Sequence, residues 1–425
     1  MNNNDSPLYL GIDMGTSGCR LIAIDENKQI VAHARQSMAT PETEGNRVYQ
    51  DPQIWWQCLE QALTQLAQQL SLARIRAISI DGTSGTIVGL DPQDHVLAPG
   101  LMYNDSSCTT QAQLIAQYAP VERTLGVTSG LAKALYLIEA YPECKTVLNQ
   151  ADWLAGHFLG VYCHSDENNA LKLAYDPVER CWPDWLKQLP ISFDQLPQVH
   201  VPGESYGLID TDVADAWGFA PNCKVIAGTT DSIAAFIASG ARNLGDAVSS
   251  LGSTLVLKLI SDKPVFNAEY GVYSHRLGDN WLVGGASNSG GAVLAEYFDS
   301  QQLEELSRQI DLSAPCGLDY YPLNTAGERF PINNPQHPPK LTPRPDSDVE
   351  FLYALLNGIA NIELLAYQRL HQLGCPYPTR VLSCGGGAKN SVWQQLREQK
   401  LGIPVLVAEQ EEAAFGSALL AYNHF

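Results

Sequence analysis

The stretch LYLGIDMGTSGCRLIAID, residues 8–25, decides how this chain is read. Two apolar runs flank a short insert of Gly15, Thr16, Ser17 and Gly18. That pattern predicts a hairpin, and QIVAHARQSM (29–38) alternates as a third strand would, so the expected unit is an antiparallel meander. Amides in such a turn can converge on an anion, and the Thr16 and Ser17 hydroxyls add donors. The plainer reading is a hairpin that needs glycine for a positive φ. The stretch has no Gly-Lys-Ser/Thr and no obvious helix after the turn, so it is not the common phosphate loop. Asp13 on the lip of the turn has two compatible readings: a cap for its own turn, or a carboxylate that holds magnesium, usually through water.

A second segment echoes the first. DAVSSLGSTLVLKLIS (246–261) runs strand, Gly252-Ser253-Thr254, strand. Such an echo at long separation predicts two domains of related topology. A chain of 425 residues suits two domains of roughly 200 residues each. Further elements fit an α/β protein. Asp51 and Pro52 open a helix in the cap and first helical positions. IRAISIDGTSGTIVGLD (75–91) reads as strand, a third small-residue turn, strand. CKVIAGTTDSIAAFIASGA (223–241) reads as a strand and then a helix from Asp231. Residues 348–374 form the longest helix, RVLSCGGGAKNSVWQQLREQKLG (380–402) is strand, triple glycine, helix, and the chain closes on a terminal helix. The Pro-rich FPINNPQHPPKLTPRP (330–345) is an irregular surface excursion.

Composition excludes some classes. The formal charge of -20 repels polyanions, and no basic patch offsets it, so no nucleic-acid partner is expected. No run approaches the roughly 18 apolar residues of a membrane helix, and MNNNDSPLYL lacks the pattern of a secretory leader. Ten cysteines are scattered without a Cys-x-x-Cys pair. A cytoplasmic protein with free thiols and no membrane partner is expected. Cys163 and His164 lack the two further ligands a zinc site needs.

Four places can carry chemistry. Asp231 reads either as a helix N-cap or as a general base that accepts a hydroxyl proton. Thr83 and Ser84 beside Asp81 suit a polyol, and Tyr103, Asn104 and Asp105 form an aromatic-plus-polar set typical of a sugar wall; loop packing is the alternative for both. The three glycines 385–387 let a flat ring approach the backbone. The following helix N-terminus favours phosphate oxygens, with Lys389, Asn390 and Trp393 close in sequence.

Taken together, these phrases resemble the FGGY carbohydrate kinases over essentially the whole chain. GIDMGTSGCR resembles that family's first phosphate motif, GTTDSIAAFIASGA its segment with the catalytic aspartate, and SSLGSTLVL its second phosphate motif. SCGGGAKNSVWQQL followed by AAFGSALLA resembles its adenosine-binding and closing segments. The resemblance implies the two-lobed α/β fold of actin, hexokinase and the 70-kDa heat-shock proteins, with halves of the ribonuclease H type and ATP and sugar in the cleft between lobes. It implies a first lobe over 1–238, joined by the C-terminal helix 412–425 and carrying the sugar and the first phosphate turn. A second lobe over 239–411 binds ATP. Asp231 is the implied catalytic base. Asp13, Ser84, Asp231 and Tyr103 are the implied sugar contacts, and Asp13 holds the metal. Gly15, Thr16, Ser17, Gly252, Ser253, Thr254, Gly386, Gly387, Lys389 and Asn390 are the implied ATP contacts. The cofactors are ATP and Mg²⁺, and a monomer or homodimer is expected. The closest likeness is to the short D-ribulose kinase-like group, carried by QADWL, NALKL, GASNSGGA and GLDYYPL. YNDSS departs from the family's Trp-Asn-Asp: Tyr103 replaces the aromatic and Ser106-Ser107 the arginine region. The implied reaction is D-ribulose with ATP to D-ribulose 5-phosphate and ADP, with D-xylulose or another pentulose or polyol as the alternative. An actin-like nucleotide switch or a sugar sensor is the competing class.

Overall fold

Leu8–Met14 (β1) and Gly18–Ile24 (β2) form the expected hairpin, with Asp13 opposite Arg20. Ile30–Ser37 (β3) pairs antiparallel with β2 and completes the meander. Asp51 caps Pro52–Ala67 (α1) by accepting the Gln53 N–H at 2.9 Å. The Trp55, Leu59, Ala62, Leu63 and Leu66 face of α1 is buried in the first core. Ile75–Gly82 (β4) then lies parallel to β1, which puts Asp81 level with Asp13. The helices Gly130–Ala140 (α2) and Gln150–Leu159 (α3) follow. Ser205–Leu208 (β5) is an edge strand, and Lys224–Thr230 (β6) runs parallel to β4 with Thr230 level with Gly82. Asp231–Ala238 (α4) starts directly at the end of β6. The sheet order is β5-β6-β4-β1-β2-β3. Three parallel strands therefore end side by side at Asp13, Asp81 and Thr230, at the carboxyl edge where open α/β sheets gather ligands.

The structure is a computed structural model and describes residues 6–121 and 125–422. Residues 1–5 and 423–425, which belong to the expected first lobe and its closing helix, lie outside the described residues.

The topology repeats in the second half. Asp246–Leu251 (β7) and Leu255–Ser261 (β8) form a hairpin across Gly252–Thr254. Tyr273–Leu277 (β9) and Asn280–Ser287 (β10) extend it antiparallel. The helices Ser300–Ser307 (α5) and Asp348–Gln372 (α6) come next. Arg380–Cys384 (β11) lies parallel to β7. Ser391–Leu401 (α7) then leads to Val405–Val407 (β12), parallel to β11. The order β9-β10-β8-β7-β11-β12 follows the first sheet: the hairpin is extended by antiparallel strands, one in the first sheet and two in the second, and on the other side of its first strand lie two successive parallel strands, β4 then β6 and β11 then β12. The likeness between residues 8–24 and 247–260 thus reflects a whole repeated sheet.

Ala413–Ala421 (α8) packs on β1 and α4 rather than on the second sheet. Two glycines permit it. A Cβ on Gly11 would lie 1.9 Å from the Ala414 carbonyl oxygen, and one on Gly416 would lie 1.9 Å from the Ala234 carbonyl oxygen. Contacts divide the chain into two units, Met1–Ala238 with Glu412–Phe425, and Ser239–Glu411.

Among the described residues, α6 alone is long and apolar enough to span a membrane by composition. Its most apolar window is 67% buried, and Phe351, Leu355, Ile359, Ile362 and Ala366 pack in the core of the second unit. The Pro-rich excursion is mostly exposed, but not throughout. Phe330 is buried in the same core, and Tyr321 and Lys340 exchange backbone hydrogen bonds of 3.0 Å. All ten cysteines are free.

Candidate active site

Asp13 at the end of β1 is almost wholly buried and accepts a hydrogen bond from Arg20 Nη1 at 2.9 Å. Asp81 on the next strand is fully buried, and its Oδ2 accepts the Ser417 hydroxyl of α8 at 2.6 Å. Its Oδ1 takes no N–H or hydroxyl hydrogen bond, and the Asp81 carboxyl faces that of Asp13, the two hydrogen-bonding each other when one is protonated. Burial pushes the Asp13 carboxyl up from the usual range, against the pull of Arg20. Asp81 is pushed well above it, by burial first and then by the charges of Asp13 and Asp231. Buried carboxylates this close with one guanidinium cannot all ionise readily. Asp231 belongs to the same group. It is the first residue of α4 rather than its cap, and its Oδ1 accepts the Ser232 N–H at 2.6 Å. No motif in the sequence points to Arg20 or Ser417, and Asp81 is marked there only by its place beside Thr83 and Ser84. The signal for Arg20 was its antiparallel place opposite Asp13 across the hairpin.

Among the described residues, no three His, Cys, Asp or Glu side chains form a metal cluster. Magnesium rarely uses an all-protein cage and needs only one or two carboxylates. Asp13 and Asp81 supply hard oxygens of that kind, and a bound cation would favour their ionised forms, so the donor set fits the ion, with Arg20 competing for Asp13. His164 pairs instead with His200, their ring nitrogens 3.0 Å apart.

The third segment is strand, turn, strand as expected, but its two strands do not form a hairpin. Ile87–Leu90 does not pair with β4; it joins a separate five-stranded sheet with Thr146–Asn149. The 82–86 turn therefore crosses from one sheet to another, and side chains hold it. Gln150 Oε1 accepts the Thr83 N–H at 2.9 Å and the Thr83 hydroxyl at 2.7 Å. The Thr83 and Thr86 hydroxyls lie 2.6 Å apart, and Thr86 Oγ1 accepts the Tyr103 N–H at 3.1 Å. Ser84 Oγ and Gln150 Nε2 are buried without hydrogen-bond partners. Tyr103 is 44% exposed. Asp105 corrects the sugar-wall reading: it is fully buried and accepts the Val48 N–H at 2.7 Å and the Ser107 hydroxyl at 2.9 Å. It shapes the loop from inside.

The two hairpin turns are built alike. In the first, the Gly15 N–H donates to the Gly18 carbonyl at 3.0 Å, and the Ser17 carbonyl accepts the Met38 N–H. In the second, the Gly252 and Ser253 carbonyls accept the Gly291 and Ala292 N–H groups at 2.8 and 3.1 Å. Chain emerging from the third strand of each meander thus ties down the turn carbonyls. Thr16 and Thr254 are half-buried, and the tips Ser17 and Ser253 stay exposed.

Within the second unit lies a cavity of about 910 Å³, of the size that small-molecule sites have. Gly252, Ser253, Gly386, Gly387, Lys389 and Asn390 line it, with Leu303, Ser307 and Arg308 from α5 and the loop after it. Thr254 does not line it. Gly385 has φ +81°, and a Cβ on Gly387 would lie 2.5 Å from the Trp393 ring. Asn390 is committed to structure: Oδ1 caps α7 through the Trp393 N–H at 3.0 Å, and Nδ2 donates to Ser307 Oγ at 2.8 Å. Gly386 differs, since a Cβ there meets no atom within 4 Å. Gly386→Val is therefore expected to fold and to push its side chain into open space. Thermal unfolding of the variant at the wild-type temperature checks this.

Comparison with known proteins follows this division. Xylulose kinase of Escherichia coli is 29% identical over 421 residues, covering 92% of this chain and 84% of its own. Gluconokinase of Bacillus subtilis is 22% identical over 452 residues, covering 97% and 86%. The solved xylulose kinase of Rhodospirillum rubrum has a TM-score of 0.86 at 21% identity, covering 98% of this chain and 89% of its own. The fold is thus the actin- and hexokinase-like ATPase fold expected from the sequence. These names support a sugar kinase and do not single out the D-ribulose group. The N-terminal domain of the FGGY family of carbohydrate kinases matches residues 8–238 and its C-terminal domain residues 247–423, and the chain belongs to that family.

Proposed function

We propose that the protein transfers the γ-phosphoryl group of ATP to the terminal hydroxyl of a pentulose. One observation carries the reading: a partly exposed carboxylate, Asp231, opens a helix at the strand edge that also holds Asp13 and Asp81. Asp231 takes the hydroxyl proton as the oxygen attacks. Ser84 and Tyr103 contact the sugar, and Asp13 meets it beside the metal. Gly15, Thr16 and Ser17, with Gly252, Ser253 and Thr254, hold phosphate oxygens through amides and hydroxyls. Gly386, Gly387 and Lys389 face the adenosine, and Asn390 supports them as the cap of α7. Asp13 would hold a magnesium ion, which would offset the charge of the phosphates. In this reading the unit 1–238 with 412–425 serves the sugar, and 239–411 serves the nucleotide.

D-xylulose is the first substrate to test, because relatives covering nearly the whole chain are xylulose kinases. D-ribulose is the second reading, drawn from the likeness carried by QADWL, NALKL, GASNSGGA and GLDYYPL, and the departure at Tyr103, Ser106 and Ser107 leaves the sugar open between the two. A panel of pentuloses, polyols and gluconate, read as kcat/KM, decides between them. The expected result is the highest value on a pentulose, with D-xylulose above D-ribulose. Preference for gluconate or glycerol would overturn the pentulose assignment.

A further inference from the structure

We infer that Lys133 is a positioning residue for the sugar side of the site, its ammonium tying three separate loops together. The inference rests on the sugar-kinase reading for what those loops contact. Lys133 lies on α2 with none of its side chain exposed. Nζ donates to the carbonyl oxygens of Gly85 at 2.9 Å, Thr128 at 3.0 Å and Tyr103 at 3.2 Å. These belong to the 82–86 turn, the approach to α2, and the loop that presents Tyr103. An ammonium has three N–H donors, and three carbonyls take them all. None remains for a substrate, so the group acts through the loops it holds.

The arrangement is costly for mere packing. A buried ammonium with no matched carboxylate is expensive, and burial lowers the Lys133 pKa to about 8. Asp105 pulls the other way, but its oxygens already accept from Val48 and Ser107. A leucine or methionine would fill the space more cheaply. What the ammonium adds is a fixed distance between the Ser84–Gly85 turn and Tyr103. The same two loops are joined again by the Tyr103 N–H on Thr86 Oγ1. Gly85 also sits at φ +85°, a left-handed conformation that glycine adopts without strain.

Lys133→Met keeps the stem and removes the donors, orphaning three carbonyls. The expected result is a sugar KM raised roughly 10- to 100-fold, with the ATP KM unchanged. Without any ligand, amide exchange at residues 83–87 and 102–106 should become faster. Thr86→Val is the milder companion if Lys133→Met does not fold: it removes the acceptor of the Tyr103 N–H and should move the same readouts less. Faster exchange in a protein that turns over no pentulose supports the positioning role and sinks the substrate reading. Unchanged exchange and sugar KM, or equal losses for sugar and ATP, would overturn the positioning role.

Discussion

An Asp231→Asn variant is expected to lose about 10²- to 10⁴-fold in sugar-dependent turnover, the range a general base contributes. Asparagine has the same shape and cannot take a proton. Its Oδ1 can still accept the Ser232 N–H that Asp231 accepts at 2.6 Å, so the start of α4 should be preserved. The cavity lined by Gly386, Gly387 and Lys389, where the proposed function seats the nucleotide, is formed wholly by residues of the other unit, so ATP affinity is expected to stay at the wild-type value. The measurement is steady-state turnover with sugar beside an equilibrium titration with ATP. Turnover close to wild type would remove Asp231 as the base, and loss of ATP binding as well would indicate damage to the fold.

Glu363→Ala is expected to destabilise the second unit by about 3–5 kcal/mol, the cost of leaving one partner of a buried ion pair alone. Arg397 and Glu363 are each 1% exposed. The guanidinium donates twice to the carboxylate, at 2.6 and 2.7 Å, and once to Ser383 Oγ at 2.7 Å. Ser249 donates to Glu363 at 2.5 Å and lies 2.8 Å from the Tyr367 hydroxyl. The cluster joins α6, α7, β11 and β7, directly below the strand end that leads to Gly252. Replacing both Glu363 and Arg397 by methionine should cost much less than Glu363→Ala, because no charge is stranded. Denaturant unfolding of both variants checks this. Equal losses in the single and the double replacement would show that the stranded charge is not the cause.

Much of the fold was legible because its signals are local. The two Gly-hydroxyl turns, the cap at Asp51 and the run into α4 at Asp231 each depend on a few adjacent residues. What stayed hidden depends on pairing between distant segments. Asp81 gained significance only when parallel pairing set it level with Asp13, and Ser417 only when α8 crossed back to β1. Lys133 stands as one polar residue in an apolar stretch, and its partners are backbone carbonyls that no side-chain pattern reveals. Asp105 misled for the opposite reason: beside Tyr103 and Asn104 it looked like part of a ligand wall, and burial turned it toward Val48. Asn390 is intermediate. Its place before SVWQQL is that of a helix cap, but the glycines before it drew attention to the ligand.

The central claim is sugar-dependent phosphoryl transfer, and ADP release measured with and without a pentulose tests it most directly, with mass analysis of the sugar. The account predicts slow ADP release alone, a large rise when D-xylulose or D-ribulose is added, and one pentulose phosphate formed per ADP. ADP release indifferent to every sugar, with no phosphorylated product, would contradict it and favour a nucleotide switch.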